Sequence, residues 1–112
     1  MDNLKDDGYY IRKIITDIVF IIEHTDNLTK EELECNEVLI DSVMFRLIQV
    51  AENSEKLTDR FKLKYSFIPW RAMKGMRNRI VHEYGNVDLS VVYDTVRKDL
   101  PELLKELKKI LE

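Results

Sequence analysis

Three glycines, two prolines and one cysteine are all that this 112-residue chain holds of the residues that bend, break or bolt a backbone. With so few turn formers a fold of many short strands lacks its turns. Abundant Leu, Ile, Glu and Lys at helical spacing point instead to an all-α protein, an antiparallel bundle of four to six helices. Cys35 has no second cysteine to pair with. No Cys or His cluster has ligand spacing, so neither a disulfide, nor a structural zinc, nor any other cofactor is expected, and Cys35 reads as a buried thiol. No stretch reaches about 18 apolar residues without a charge, and MDNLKDDGYYIRK has no apolar run behind a basic start. Neither membrane insertion nor export is expected, and the expected location is the cytoplasm. The length suits one domain, residues 1–112, burying roughly two-thirds of its unfolded surface.

What is present is helical periodicity. Residues 3–25 read as a first helix whose Ile11, Ile14, Ile15, Ile18, Val19, Ile21 and Ile22 make a face wide enough for two neighbours. A polar break follows. Thr29 with Glu32 three residues on has the pattern of a capping box opening a short helix. Residues 36–56 read as a long helix on Leu39, Val43, Leu47, Val50 and Ser54, able to pair antiparallel with the first. DRFKLKYSFI is a loop or short helix whose Phe61, Tyr65 and Phe67 cap the core. Asp88 caps a helix carrying Leu89, Val92, Val96 and Leu100, Pro101 marks a kink or a fresh start, and a last apolar stripe runs through Leu103, Leu104, Leu107, Ile110 and Leu111.

The unusual stretch is PWRAMKGMRNRIVHEYG, residues 69–85. Pro69 suits a first helical turn and Gly85 a left-handed end, so the stretch reads as one helix. Trp70, Met73, Arg77, Ile80, Val81 and Tyr84 recur at spacings of three and four, placing an arginine and a tyrosine in an apolar stripe. An arginine there needs a partner. Gly75, Asn78, Arg79 and His82 form a second strip, open at Gly75 to close approach by another backbone or a ligand. Around this stretch charge changes sign. Residues 56–85 hold eight basic and two acidic side chains, a balance of +6, whereas the chain totals −3, leaving −9 elsewhere. Either a basic surface steers a polyanion here, or a solvated face pairs with acidic neighbours.

An imidazole with an unperturbed pKa of about 6.5 gives and takes protons at neutral pH, and a guanidinium binds phosphate oxygens bidentately. Together they suit cleavage of RNA, whose 2′-hydroxyl supplies the nucleophile and requires of a protein only a base, an acid and a charge stabiliser. Five residues along a helix turn Arg77 and His82 about 140° apart. A shared cleft then forms either where two copies of the chain face each other across a two-fold axis or where a distortion of the helix brings both groups together in one chain.

The segment IPWRAMKGMRNRIVHEYGNVDLSVVYDTVRKDLPEL resembles the HEPN superfamily and, within it, HepT-type toxins of minimal nucleotidyltransferase/HEPN toxin–antitoxin pairs. The shared motif is Arg-x-x-x-x-His-x-Tyr, here Arg77, His82 and Tyr84, with Pro69-Trp70, Val87-Asp88-Leu89 and Asp99-Leu100-Pro101-Glu102 around it. The chain departs from the family at Ala51-Glu52-Asn53, where a Gly-Glu-Ala step is common. The resemblance implies a homodimeric, metal-independent endoribonuclease, the toxin of a type VII pair, cutting RNA such as tRNA. Arg77 and His82 would be catalytic, and Asn78, Arg79 and Lys74 candidates for substrate contact. It also implies a nucleotidyltransferase antitoxin that places AMP on Tyr84.

The residues by themselves admit a second reading. Arg77 is then a buried arginine satisfied by a carboxylate of another helix, Tyr84 an ordinary core aromatic and His82 a surface residue. The resemblance also leaves an alternative to the enzyme, a non-enzymatic helical dimer that binds a nucleotidyltransferase partner and is modified by it at Tyr84. His24, Trp70 and Met73 receive no role in chemistry.

Overall fold

Isoleucine at every third or fourth position of the first helix supplies the centre of the fold. In the computed structural model, which describes residues 6–111, α1 spans Asp7–Thr25 and opens on Asp6, whose carboxylate accepts from the Tyr9 amide at 2.8 Å. Ile11, Ile14, Ile18 and Ile21 are wholly buried, and at about 2 kcal/mol of burial each they weigh heavily against a net stability of only about 5–15 kcal/mol. The face touches two neighbours, α3 on one side and α7 with the turn before it on the other. The expected start at residue 3 lies outside the described residues.

The polar break after α1 is a turn with Asn27 in the left-handed region at φ 64°, which an Asn tolerates. Thr29 and Glu32 close the expected capping box on α2, Lys30–Glu34. Asn36 then caps α3, Glu37–Glu55, by accepting from the Leu39 amide at 3.0 Å. Cys35, at the junction, is exposed rather than buried, because it ends a five-residue helix whose only buried side chain is Leu33.

α3 runs antiparallel to α1. Its far end is fastened where Asp7 accepts from the amide and the hydroxyl of Thr58, both at 2.9 Å. Thr58 also caps α4, Asp59–Lys64, so DRFKLKYSFI does contain a short helix. Phe61 and Tyr65 pack on the core as expected, but Phe67 is 58% exposed, beyond the helix end that positions the other two. The Trp70 indole donates to the carbonyls of Lys62 and Tyr65 at 3.3 and 3.2 Å, joining α4 to α5, Trp70–His82.

The chain closes with α6 (Leu89–Asp94), a π turn (Thr95–Asp99) and α7 (Leu100–Leu111), which follow one another without a break and form one rod. Asp88 caps it, as expected, by accepting from the Ser90 amide at 2.9 Å. Pro101 neither ends nor restarts the helix. Its ring has no N–H for the carbonyl four residues back and would clash with it; the wider turn just ahead, where the Leu100 amide reaches Thr95, relieves that conflict. Counted as rods the architecture is the expected all-α bundle, with no strand among the described residues. No helix among them is long and apolar enough to cross a membrane.

One charged pair sits inside this packing. Asp17 is 6% exposed and takes a 2.7 Å bond from Arg46 of α3, whose guanidinium also lies 3.9 Å from the Phe20 ring centre. Removing only the arginine strands a buried carboxylate. Arg46→Leu should cost about 3 kcal/mol in urea unfolding, and Asp17→Leu added to it should recover most of that loss; a double variant no more stable than the single one would refute the assignment.

Candidate active site

Only one residue of α5, Ile80, is fully buried. The helix packs most extensively on α3, and the apolar stripe read from the sequence is narrower in the fold: Trp70 and Met73 are half-buried, whereas Val81 is 45% exposed. Met76, outside that stripe, packs on the core in its place. Between α5 and the last rod an open apolar groove of about 760 Å³ remains, lined by Leu47, Val50, Met73, Met76, Leu100 and Leu103 among others.

The helix also ends early. Pro69 precedes the first helical residue, α5 stops at His82, and Tyr84–Asn86 form a separate 3₁₀ turn. No glycine among the described residues has positive φ, so Gly85 is not a left-handed cap. Tyr84 is therefore off the helix that carries Arg77 and His82, and is 47% exposed rather than part of a buried stripe.

α3 and α5 are antiparallel, and their shared edge is a row of polar pairs. Lys74 lies 3.4 Å from Glu55. Arg77 Nε donates to Glu52 at 2.7 Å, and its Nη1 donates to the Asn78 side-chain oxygen at 2.8 Å. The Tyr84 hydroxyl donates to Asp41 at 2.6 Å. From Glu52 to Asp41 is eleven residues, about three turns, but from Arg77 to Tyr84 only seven, about two; the reach of the phenol spans the difference. A recess of about 290 Å³ opens at the Arg77 end, lined by Ala51, Glu52, Glu55, Lys74 and Arg77.

Magnitudes decide what these pairs do. The Arg77 and Glu52 side chains are 33% and 42% exposed, and ion pairs so wet contribute about 0–1 kcal/mol. The pair does not hold the fold together; it holds a guanidinium in one orientation, leaving its second terminal nitrogen without a partner in the described residues. Asn78 acts first on Arg77. Tyr84 has its ionisation raised above the ordinary value of 10.0, first because the protonated phenol donates to Asp41, then through desolvation and the Asp41 charge, so it is a neutral phenol at physiological pH.

His82 is exposed at the last turn, with no hydrogen bond or ion pair among the described residues. One chain therefore holds Arg77 toward α3 and leaves His82 apart from it. Arg79 is exposed on the same strip, and Gly75 faces open space. The basic balance read from the sequence is partly cancelled, since two of the four α5 cations meet α3 carboxylates. Among the described residues no group of three or more His, Cys, Asp or Glu side chains is placed to hold a metal.

Sequence reasoning missed Glu52 and Asp41. Ala51-Glu52-Asn53 stands out in the sequence only as a departure from the family pattern, whereas Glu52 is the partner that Arg77 requires. The available signal was the run of acids on the α3 edge at 41, 52 and 55, three residues separating the last two just as three separate Lys74 from Arg77. Glu52→Ala should change unfolding free energy by less than about 1 kcal/mol while broadening or shifting the Arg77 Nε–H resonance in nitrogen-15 NMR; a large stability loss with an unchanged resonance would contradict this account.

The family model described as HepT-like, Ribonuclease HepT-like, matches residues 14–110, a span containing Asp41, Glu52, Glu55, Lys74, Arg77, His82 and Tyr84. A candidate RNase of Caldanaerobacter subterraneus subsp. tengcongensis is 31% identical over 103 residues, 92% of each chain. The "Probable ribonuclease HepT" of Thermococcus cleftensis is 32% identical over 101 residues, 90% of this chain and 92% of that one. A Methanocaldococcus jannaschii protein named gamma-glutamylcyclotransferase and candidate RNase is 33% identical over 108 residues, 96% of this chain and 49% of that longer protein. No solved structure matches the chain.

Proposed function

The chain belongs to the HepT-like ribonuclease family, and from that premise we propose that it is an endoribonuclease cutting RNA without a metal ion, with Arg77 and His82 as its catalytic pair. The observation that carries this reading is the half-exposed Arg77, fixed by Glu52 and Asn78 with a guanidinium nitrogen to spare, on a helix whose outer face is unburied. A cation already oriented costs no reorganisation when a phosphate arrives.

In this reading two chains pair about a two-fold axis through α5. The divergence of Arg77 and His82 in one chain supports it, as does the exposure of Val81 and Tyr84. One imidazole takes the proton of the 2′-hydroxyl as that oxygen attacks phosphorus. Arg77 stabilises the charge on the phosphoryl oxygens, and the second imidazole, as imidazolium, gives its proton to the leaving 5′-oxygen. The products are a 2′,3′-cyclic phosphate and a free 5′-hydroxyl. Arg79, Lys74 and the Asn78 amide are the nearby groups for further phosphates, Lys74 by exchanging its exposed Glu55 partner.

The same reading makes the chain the toxin of a type VII toxin–antitoxin pair, silenced when a nucleotidyltransferase antitoxin transfers AMP from ATP to Tyr84. The exposed hydroxyl at the rim of the α3/α5 edge supports that role. A phosphodiester there adds bulk and negative charge near Arg77 and His82 and repels substrate.

The test is RNA cleavage by unmodified protein in EDTA, with intact mass taken on the same sample. Cleavage is expected to persist in chelator, to leave 2′,3′-cyclic phosphate ends and to vanish in Arg77→Ala and in His82→Ala. Refolding wild type with an equal amount of His82→Ala should leave about a quarter of the activity of the same amount of wild type, because only the quarter of dimers that hold two imidazoles can cut. No cleavage by folded, unmodified protein would favour the module that only binds and is modified by its partner; one half of the activity on mixing, rather than one quarter, would place the whole site in one chain.

A further inference from the structure

Resting on the reading of Tyr84 as the nucleotide acceptor, we propose that Asp41 is the proton acceptor of that transfer, so that the chain being modified supplies the base for its own modification.

Geometry carries the inference. The Asp41 carboxylate sits 2.6 Å from the phenolic oxygen that must become the nucleophile and accepts its hydrogen bond. A hydrogen bond between groups this exposed contributes about 1 kcal/mol or less to folding, and Tyr84 closes no core, so stability does not account for it. The raised ionisation of Tyr84 means that phenolate is scarce at neutral pH and that the proton must depart as the new bond forms. The groups around the pair do not compete for it. On α3, one turn to either side of Asp41, stand Val38 and Phe45, 83% and 57% exposed and apolar, and Glu37, exposed and without a hydrogen bond to either oxygen; on the α5 side Val81 is apolar, and His82 and Glu83 are likewise exposed without a hydrogen bond to either oxygen.

The step balances. Tyr84 Oη attacks the α-phosphorus of ATP held by the transferase, the bond from that phosphorus to the bridging oxygen breaks, and pyrophosphate leaves. The phenolic proton passes to an Asp41 oxygen and from there to water. The product oxygen has no proton left to donate, so the bond to Asp41 is lost, and the new phosphodiester turns away from a carboxylate toward the cations of α5. Acceptance of the proton and release of the ring are consequences of the same bond.

The experiment is single-turnover AMP transfer by a purified minimal nucleotidyltransferase, saturating in enzyme and ATP, onto the full chain, with the modified residue located by mass spectrometry. Asp41→Asn, which keeps shape and exposure, is expected to slow transfer about a hundredfold while binding the transferase as tightly as wild type. Incorporating 3,5-difluorotyrosine at position 84, a phenol acidic enough to ionise unaided, should recover most of that loss. Transfer at the wild-type rate in Asp41→Asn overturns the proposal and leaves the Tyr84 reading intact. Slow transfer that the fluorinated ring does not rescue also overturns it, making Asp41 a docking contact. If the wild-type chain is not modified at Tyr84 at all, both readings fall together.

Discussion

The antiparallel packing of α3 on α5 is the constraint on which the rest of the molecule depends. α3 buries Ile40, Val43, Leu47 and Val50 against the bundle, and the residues flanking that stripe are then held at its edge whether or not they contribute to stability. Glu55, Glu52 and Asp41 are such residues. Because the two helices run in opposite directions, each meets one group of α5 or the turn after it: Lys74, Arg77 and Tyr84. The core therefore fixes the backbone positions of the polar edge, so that only the side chains themselves remain to be ordered.

Energetics separate scaffold from chemistry. The buried isoleucines of α1 and the Asp17–Arg46 pair are strong terms whose removal is felt by the whole bundle. The contacts of Arg77 and Tyr84 are weak, wet and replaceable by water. A site built of weak contacts can exchange its partners when phosphate arrives, which a buried ion pair cannot do without several kcal/mol. The single buried residue of α5 belongs to the same division, since the helix adds little to the core and leaves its outer side unburied.

Much of the scaffold was legible in the residues. The four buried isoleucines of α1, the Thr29/Glu32 capping box, the Asn36 to Lys56 limits of α3 and the Asp88 cap all follow from local rules of periodicity and capping, and the structure has them. Local rules misjudged the places where tertiary contacts compete. Gly85 carries the signature of a helix end, yet α5 stops before it and Tyr84 leaves the helix to reach Asp41. Cys35 and Phe67 are apolar by type but sit where short helices end, with no neighbour to cover them.

Sequence alone determined which side chains are the candidates for chemistry, because an Arg, a His and a Tyr at fixed offsets are local in the chain and their chemical types limit what they can do. It also determined the all-α class, since helical periodicity is written in spacings of three and four. Only the tertiary structure decided what those side chains face. Glu52 lies 25 positions before Arg77, and Asp41 lies 43 before Tyr84. No spacing rule links residues so far apart; the pairing exists because two helices pack antiparallel in one register, and that register is set by the apolar stripe beneath them rather than by the charged residues it brings together.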